Sequence, residues 1–514
     1  MADKKELTKT ESVQLIVGVA LVFGILVRLL PGIQTGFPIN DGGMFLNMIQ
    51  DLRDSRYALP EFTSYNLSEI PYAYPPFGFY VGRILSDIFQ IPALELLRWL
   101  PPLINSLSIL AFYVLASELL HSKSTGALAS AFYALTPGAF GAFVMGGGLT
   151  RSFGSLFLLL SAVAVLRLFQ KGEGKYVAFS ILFGSLAVLS HPEAGMHTAA
   201  TCVLLWLFFG RSFSTLRNAV IVALGVLLVT APWWLTVYAY HGLEPVLSAL
   251  KTGSYGVSAW NAWYKVIFED GLFVPFLAVL RLIGIGWGIW KKNYFLVLWV
   301  FLPHLVEPRS APSVAFYPLT MLAALAFSEA IPFFVAKLRR TSVNFEELFK
   351  SKPYNIAVIL LLAYLLVESS LYGFRLVGTS LKPADLQTMA WIKENTPADA
   401  LFLPLTGVPS PEIDPYVEWF PTLTERRSQA TFQGYEWLLG ENFFVRYYDL
   451  VELQQCETYT CVEDWSLRTK LDYQIVVVDK SDVSTALINS FRSNEKYREI
   501  HTTDEAVLFE RNEK

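Results

Sequence analysis

Apolar runs long enough to cross a lipid bilayer recur through the first three quarters of this chain, and they leave few folds open. The first runs from Ser12 to Leu30. A hydrocarbon core about 30 Å thick is crossed by roughly 20 apolar residues in a helix. Only helices or closed barrels satisfy every backbone polar group in lipid. The runs here are continuous and rich in Leu, Ala, Val and Phe, not short and alternating, which excludes a barrel. Charged residues make up 16% of the 514, against roughly 25% in a soluble protein. The chain therefore reads as a polytopic α-helical membrane protein. Its net charge of −4 gives no reason to expect a nucleic-acid partner.

Apolar runs set against polar breaks give about 11 spans, at 12–31, 100–120, 125–145, 150–169, 176–191, 193–209, 218–239, 271–290, 293–306, 313–335 and 354–377. The first is read as a retained span, because no small-residue cleavage site follows it. Lys123; Arg167, Lys171 and Lys175; Arg211 and Arg217; Lys291 and Lys292; and the run from Lys337 to Lys352 then fall in loops on one side. The positive-inside rule makes that side cytoplasmic. The expected setting is a prokaryotic plasma membrane, with the N-terminus inside and the tail outside. The segment 75–91 must then stay out of the bilayer. Arg83 and Asp87, four apart, fit a helix lying in the outer interface.

Two domains follow: 1–377, with a large first outer loop at 32–99, and a soluble extracytoplasmic α/β domain at 378–514. In the tail, Leu386–Glu394 reads as a helix, Leu401–Leu405 and Tyr473–Asp479 as strands, Val483–Phe491 as a helix, and Tyr497–His501 with Glu505–Glu510 as a hairpin. Cys456 and Cys461 pair if the tail meets an oxidising compartment and stay as thiols otherwise. Cys202 sits in an apolar run.

The chemistry-bearing residues gather in the outer loops. Asp41 follows the first span inside Asn40-Asp41-Gly42-Gly43. A carboxylate there is either a solvated loop residue or a base at headgroup level, where a lipid phosphate would sit. Arg98, Arg151 and Arg309 each lie at the outer end of a span, suited either to a phosphate or to snorkelling toward headgroups. Arg151 follows three glycines whose amides are open to phosphate oxygens. His191-Pro192-Glu193 caps a hairpin, with His197 one turn on, and His304 stands near Glu307. Glu193 suits an acceptor or an arginine; a buried polar turn is the competing reading. Trp233, Trp234, Trp260, Trp263 and Tyr264 read as interfacial aromatics. The stretches Glu418–Ser428 and Gly434–Trp437 are dense in charge and rings, and would fold over the cleft to present Arg426 or Arg427.

Together these residues resemble the GT-C superfamily of membrane glycosyltransferases, nearest the branch of protein O-mannosyltransferases and lipid A aminoarabinose transferases. Asp41 matches the acid of the first outer loop, and Tyr74-Pro75-Pro76-Phe77 is similar to a His-Pro-Pro-Leu-like motif, with Tyr for His. Leu97-Arg98-Trp99-Leu100 and Arg309 with Tyr317-Pro318 are similar to the arginines that follow, and Trp391–Pro397 to the tails of prokaryotic members. Glycines follow Asp41 where many members have a second acid, and Gly146–Arg151 has no acid where metal-using members often do. A divalent metal is thus an option that the resemblance allows and the sequence disfavours.

The resemblance implies transfer of a sugar from a polyprenyl-phosphate-linked donor to a glycan, lipid or protein acceptor on the extracytoplasmic face. Asp41 would be the catalytic base. Arg98, Arg151 and Arg309 would bind donor phosphate, and Tyr74, His191, Glu193, His304, Arg426 and Arg427 would contact substrate. A transporter or flippase of lipid-linked or small polar substrates is the main alternative, with Arg281 as its mid-span ionisable residue. A non-catalytic receptor or assembly subunit is the third.

Overall fold

The computed structural model describes residues 9–252, 264, 276–342, 348–349 and 351–512. Trp260, Trp263 and the start of the 271–290 run lie outside the described residues.

The membrane part is a helical bundle. Its elements are α1 (Lys9–Thr35), α2 (Gly43–Asp54), α3 (Phe77–Phe89), α4 (Ala93–Leu119), α5 (Lys123–Ala134), α6 (Gly148–Lys171), α7 (Gly174–Ser190), α8 (Pro192–Phe209), α9 (Phe213–His241), α10 (Glu244–Thr252), α11 (Phe276–Trp290), α12 (Tyr294–Val306) and α13 (Ala311–Leu325). A π-helical turn at Ala326–Ala330 carries α13 into α14 (Ile331–Arg339), and α15 (Lys352–Val377) completes the bundle. Among the described residues, six helices are long and apolar enough to cross a membrane: α1, α4, α6, α9, the α13–α14 rod and α15. α7, α11 and α12 are shorter apolar helices.

Where their residues are described, the eleven expected runs fall on helices, with one correction. The run 125–145 is not continuous: α5 stops at Ala134, and 3₁₀ turns at Pro137–Ala139 and Gly141–Phe143 continue it. Pro137 cannot donate to a helical ladder, so the chain tightens there. Gly141 then passes against Tyr372, where a Cβ would come within 2.4 Å of the phenol oxygen.

Short hydrogen bonds show which helix ends meet. Gly146 donates to Ile39 O at 2.9 Å, and Asn40 donates to Thr379 O at 3.1 Å. The end of α1, the start of α6 and the end of α15 therefore share one end of the bundle. The basic loops stand at the other turns of the chain, where Arg167 pairs with Glu118 across α6 and α4. The expected interfacial segment is α3, with its Arg83–Asp87 ion pair.

The tail carries α16 (Pro383–Asn395), β3 (Leu401–Leu405), α17 (Pro415–Thr424), β4 (Arg427–Ser428), α18 (Phe443–Gln454), α19 (Tyr459–Thr469), β5 (Ile475–Asp479), α20 (Thr485–Arg492), β6 (Tyr497–Thr502) and β7 (Ala506–Arg511). Strands β1 (Phe62–Thr63) and β2 (Ile70–Pro71) form a small ribbon in the first outer loop. The tail sheet has the order β4-β3-β5-β7-β6. β3 runs parallel to β4 and β5, and β7 is antiparallel to β5 and β6. A disulfide joins Cys456 to Cys461 between α18 and α19.

Successive strand residues point to opposite faces, and the two faces of this sheet do different things. Leu403, Leu405, Val476 and Val478 pack into the tail's own core. Phe402, Ile475 and Val477 share a second core with Phe37, Met44, Ile49 and Tyr65 of the first outer loop. The soluble domain is thus fused through apolar contact to the segment that carries Asp41.

Candidate functional site

Asp41 sits in a turn that only glycine neighbours permit. Gly42 has φ +134°, a region that side chains rarely adopt. On the other side, Gly146 and Gly147 lead into α6. A Cβ on Gly146 would lie 2.1 Å from the Asp41 carbonyl oxygen, and one on Gly147 would lie 2.4 Å from Asp41 Oδ2. This approach lets the Gly147 amide donate to Asp41 Oδ1 at 2.9 Å, while Arg151 Nη2 donates to Oδ2 at 2.8 Å. The carboxylate thus faces the N-terminus of α6, whose partial positive charge favours it. The glycine amides looked open to phosphate in the sequence; that of Gly147 is taken by Asp41. The pair keeps contact with solvent, with side-chain exposures of 22% for Asp41 and 28% for Arg151.

Tyr74 stands beside this pair, its hydroxyl 3.3 Å from Thr150 Oγ1. Burial pushes its phenol up, and the charges of Arg151, Glu193 and Arg309 act on it. The His191 ring meets the Tyr74 ring edge to face at 5.9 Å. The His191 side chain is buried. Arg309 Nε lies 3.7 Å from Glu193 Oε1, with 41% of the arginine side chain exposed.

The Arg309 turn is fixed by its own neighbours. Glu307 accepts from the Arg309 amide at 3.1 Å, and from the Ser310 amide and hydroxyl at 2.7 and 2.8 Å. His197 Nε2 meets Ser310 Oγ at 2.9 Å. Burial and the Glu193 charge push the Glu307 carboxyl up. Asp41, Arg151, Tyr74, His191, Glu193 and Arg309 therefore form one cluster at one end of the bundle. His304 is buried in α12 behind it.

Three expected site residues are placed elsewhere. Arg98 donates from Nε to Gly32 O at 2.8 Å, pairs with Glu95 and lies over the Trp99 ring, so it clamps α4 to the end of α1. Arg426 is buried and donates to Lys393 O at 2.8 Å and Thr396 O at 2.7 Å. It closes the end of α16 instead of facing the cleft. Arg427 is exposed on the edge strand β4.

The tail presents acids, not arginines. Glu418, on α17, has Oε1 3.3 Å from the Gly42 amide and 3.4 Å from the Met44 amide. Burial and the Asp41 charge push its carboxyl up to about 8. Glu436 comes from the Tyr435–Trp437 turn. Burial pushes its carboxyl up and the Arg309 charge pulls it back. Trp437 packs its ring on Tyr74 at 5.7 Å. Both acids lie in the stretches that the sequence marks as charge- and ring-dense. The missed signal was an acid set within Tyr416-Val417-Glu418-Trp419-Phe420, a run apolar enough to be buried. Among the described residues, no three His, Cys, Asp or Glu side chains converge as a metal-binding set.

The family model described as dolichyl-phosphate-mannose-protein mannosyltransferase matches residues 73–235, from Ala73 to a point within α9. No curated protein matches the chain. Among solved structures, the archaeal oligosaccharyltransferase AglB from Archaeoglobus fulgidus is similar over 92% of this chain and 70% of its own, at 15% identity and a TM-score of 0.55. The arabinofuranosyltransferase AftD from Mycobacteria is similar over 100% of this chain, at 15% identity and a TM-score of 0.54. This chain spans 40% of the AftD length. At such identities the likeness is one of fold.

Proposed function

We propose, for a chain with the fold of the GT-C membrane glycosyltransferases, the transfer of a sugar from a polyprenyl-phosphate carrier to a hydroxyl or amine acceptor at the extracytoplasmic membrane surface. The observation that carries the reading is the Asp41–Arg151 pair beside Tyr74, with the Arg309–Glu193 pair acting on the same tyrosine, at a bundle end away from the basic loops. By the positive-inside rule that end faces out.

In the step proposed, Asp41 takes the proton from the acceptor as its oxygen or nitrogen attacks the anomeric carbon. The bond from that carbon to the phosphate oxygen breaks, and polyprenyl phosphate leaves with the electron pair. Arg309 meets the developing charge, in the way that preformed donors stabilise departing oxyanions. Arg151 holds the Asp41 carboxylate toward the acceptor and links it to the phosphate side. His191 and Tyr74 offer hydrogen-bonding groups to sugar hydroxyls. Glu193 aims Arg309.

The transporter reading needs a path lined with ionisable groups through the bundle. Below the cluster the structure packs Phe112, Tyr133, Leu159, Trp299 and Tyr317 into one buried core, with the buried Arg28 bound to Asn105 Oδ1 and the Ala134 carbonyl, and the buried Arg281 over the Phe316 ring. The test is to give the purified protein a panel of polyprenyl-phosphate sugars with hydroxyl- and amine-bearing acceptors and to follow released polyprenyl phosphate. Removing a general base costs about 10²–10⁴-fold, so Asp41→Asn is expected to lose at least that much. Full transfer by Asp41→Asn overturns the assignment.

A further inference from the structure

The turn that carries Asp41 is held from both sides by one helix of the soluble domain. Glu418 Oε1 reaches the amides of Gly42 and Met44, the residues that flank Gly43. Tyr65 Oη donates to the Glu418 carbonyl at 2.6 Å, and Trp419 Nε1 donates to the Asn40 carbonyl at 2.7 Å. Thr422 Oγ1 donates to Asn47 Oδ1 at 2.7 Å. The backbones touch as well: a Cβ on Gly43 would lie 2.6 Å from the Glu418 carbonyl oxygen. Phe37 completes the contact, with its ring 4.7 Å from that of Trp419. Residues 37 to 47 thus gain their conformation from α17, whose central polar group is Glu418.

We propose that Glu418 is a positioning residue for Asp41, a carboxyl on the tail helix α17 that pins the base-bearing turn by accepting from the Gly42 and Met44 amides. The proposal rests on the reading of Asp41 as the base. Glu418 is 7% exposed. The titratable groups that face it are Asp41 from the first outer loop, Tyr65 from the Tyr65–Leu67 turn and Glu436 from the Tyr435–Trp437 turn. Among the described residues no cation pairs with it, and Arg151 is engaged by Asp41.

The direction of the pH effect follows. The Glu418 carboxyl has its affinity for a proton raised from 4.5 to about 8 in the docked state, by burial first and by the Asp41 charge second. The docked form therefore binds more protons than the open form across this window. Its stabilisation is complete below pH 4.5, declines with rising pH, and is lost as pH passes about 8. Between pH 4.5 and about 8 each pH unit shifts the balance toward the open turn by up to about tenfold, and above about 8, where both forms are ionised, the shift levels off.

The experiment compares wild type, Glu418→Gln and Glu418→Ala in the full-length protein from about pH 6 to 9.5. Two readouts are taken: the rate of polyprenyl phosphate release, and amide hydrogen exchange over residues 40–46 corrected for intrinsic rate. Wild type is expected to lose rate and protection together as pH rises from 6 toward about 8, and to level off above that. Glu418→Gln, neutral at every pH and of the same shape, is expected to keep both and to lack that decline. Glu418→Ala is expected to lose protection at neutral pH and at least tenfold in kcat, with KM for the lipid donor unchanged. A decline in Glu418→Gln equal to that of wild type overturns the proposal. So does wild-type protection in Glu418→Ala. Exchange reads the positioning alone, so loss of protection alongside a fully active Asp41→Asn would fail the base assignment and leave the positioning standing.

Discussion

Gly147→Ala tests whether the placement of Asp41 matters, without changing any ionisable group. The new methyl would lie 2.4 Å from Asp41 Oδ2, 2.7 Å from Cγ and 2.9 Å from Oδ1. All three atoms belong to the one carboxylate, and the glycine is fixed by the start of α6, so the carboxylate must yield. Ordinary van der Waals contact begins near 3.4 Å, which asks the carboxylate to retreat by about 1 Å. That retreat also strains the 2.9 Å bond from the Gly147 amide and the 2.8 Å bond from Arg151. A misplacement of about 1 Å at a reacting group costs on the order of 10²-fold in rate, or about 2.7 kcal/mol in the barrier. The assay is polyprenyl phosphate release by purified protein, with the melting temperature followed in parallel. Gly18→Ala is the control, since nothing lies within 4 Å of its Cβ position. Gly147→Ala is expected to fall about 10²-fold in kcat at an unchanged melting temperature, and Gly18→Ala to match wild type. Wild-type turnover in Gly147→Ala would refute the claim that Asp41 works from this geometry.

Arg309→Ala is expected to lower transfer by about 10²-fold, as removal of a single oxyanion-stabilising donor does. Arg98→Ala is expected to keep near-normal turnover, because Arg98 is bound to Gly32 and Glu95; kinetics on the two variants separate the roles. Arg426→Ala leaves the Lys393 and Thr396 carbonyls at the end of α16 without their donor. It is expected to cost about 3 kcal/mol of tail stability, seen as a lower melting temperature, with turnover preserved below the transition. Cysteines placed at Lys123 and Lys291 are expected to resist a membrane-impermeant thiol reagent added from outside, and labelling of either reverses the orientation.

The bundle was legible in the sequence because lipid imposes length and apolarity on every helix it surrounds, and those are properties of single segments. The tail strands were legible for a related reason. Leu401–Leu405 and Ile475–Asp479 are buried on both faces and read as unbroken apolar runs. The helix at Tyr459–Thr469 escaped notice because its charges and its Thr458 cap look like a loop until Val462 and Trp465 are seen to be buried.

The site divided along the same line. Asp41, Arg151 and Arg309 stood out, since a charge at the end of an apolar run is visible in one segment. Their meeting was not visible, because the Asp41–Arg151 bond joins residues 110 apart. Arg98 has the same local pattern as Arg151 and a different role, decided by a carbonyl 66 residues away. Arg426 looked available because the carbonyls that its Nη2 meets lie 30 and 33 residues earlier. Glu418 was hidden most fully. Its partners are the Gly42 and Met44 amides, more than 370 residues away, and a backbone amide leaves no mark on a side-chain pattern.

The most direct measurement is a structure of the purified protein in lipid nanodiscs with polyprenyl phosphate bound. The account predicts the phosphate within hydrogen-bonding distance of the Arg309 guanidinium, on the Asp41–Arg151 side of Tyr74. A phosphate seated among the basic loops at the opposite end of the bundle, or held by Arg98 away from Asp41, would contradict it.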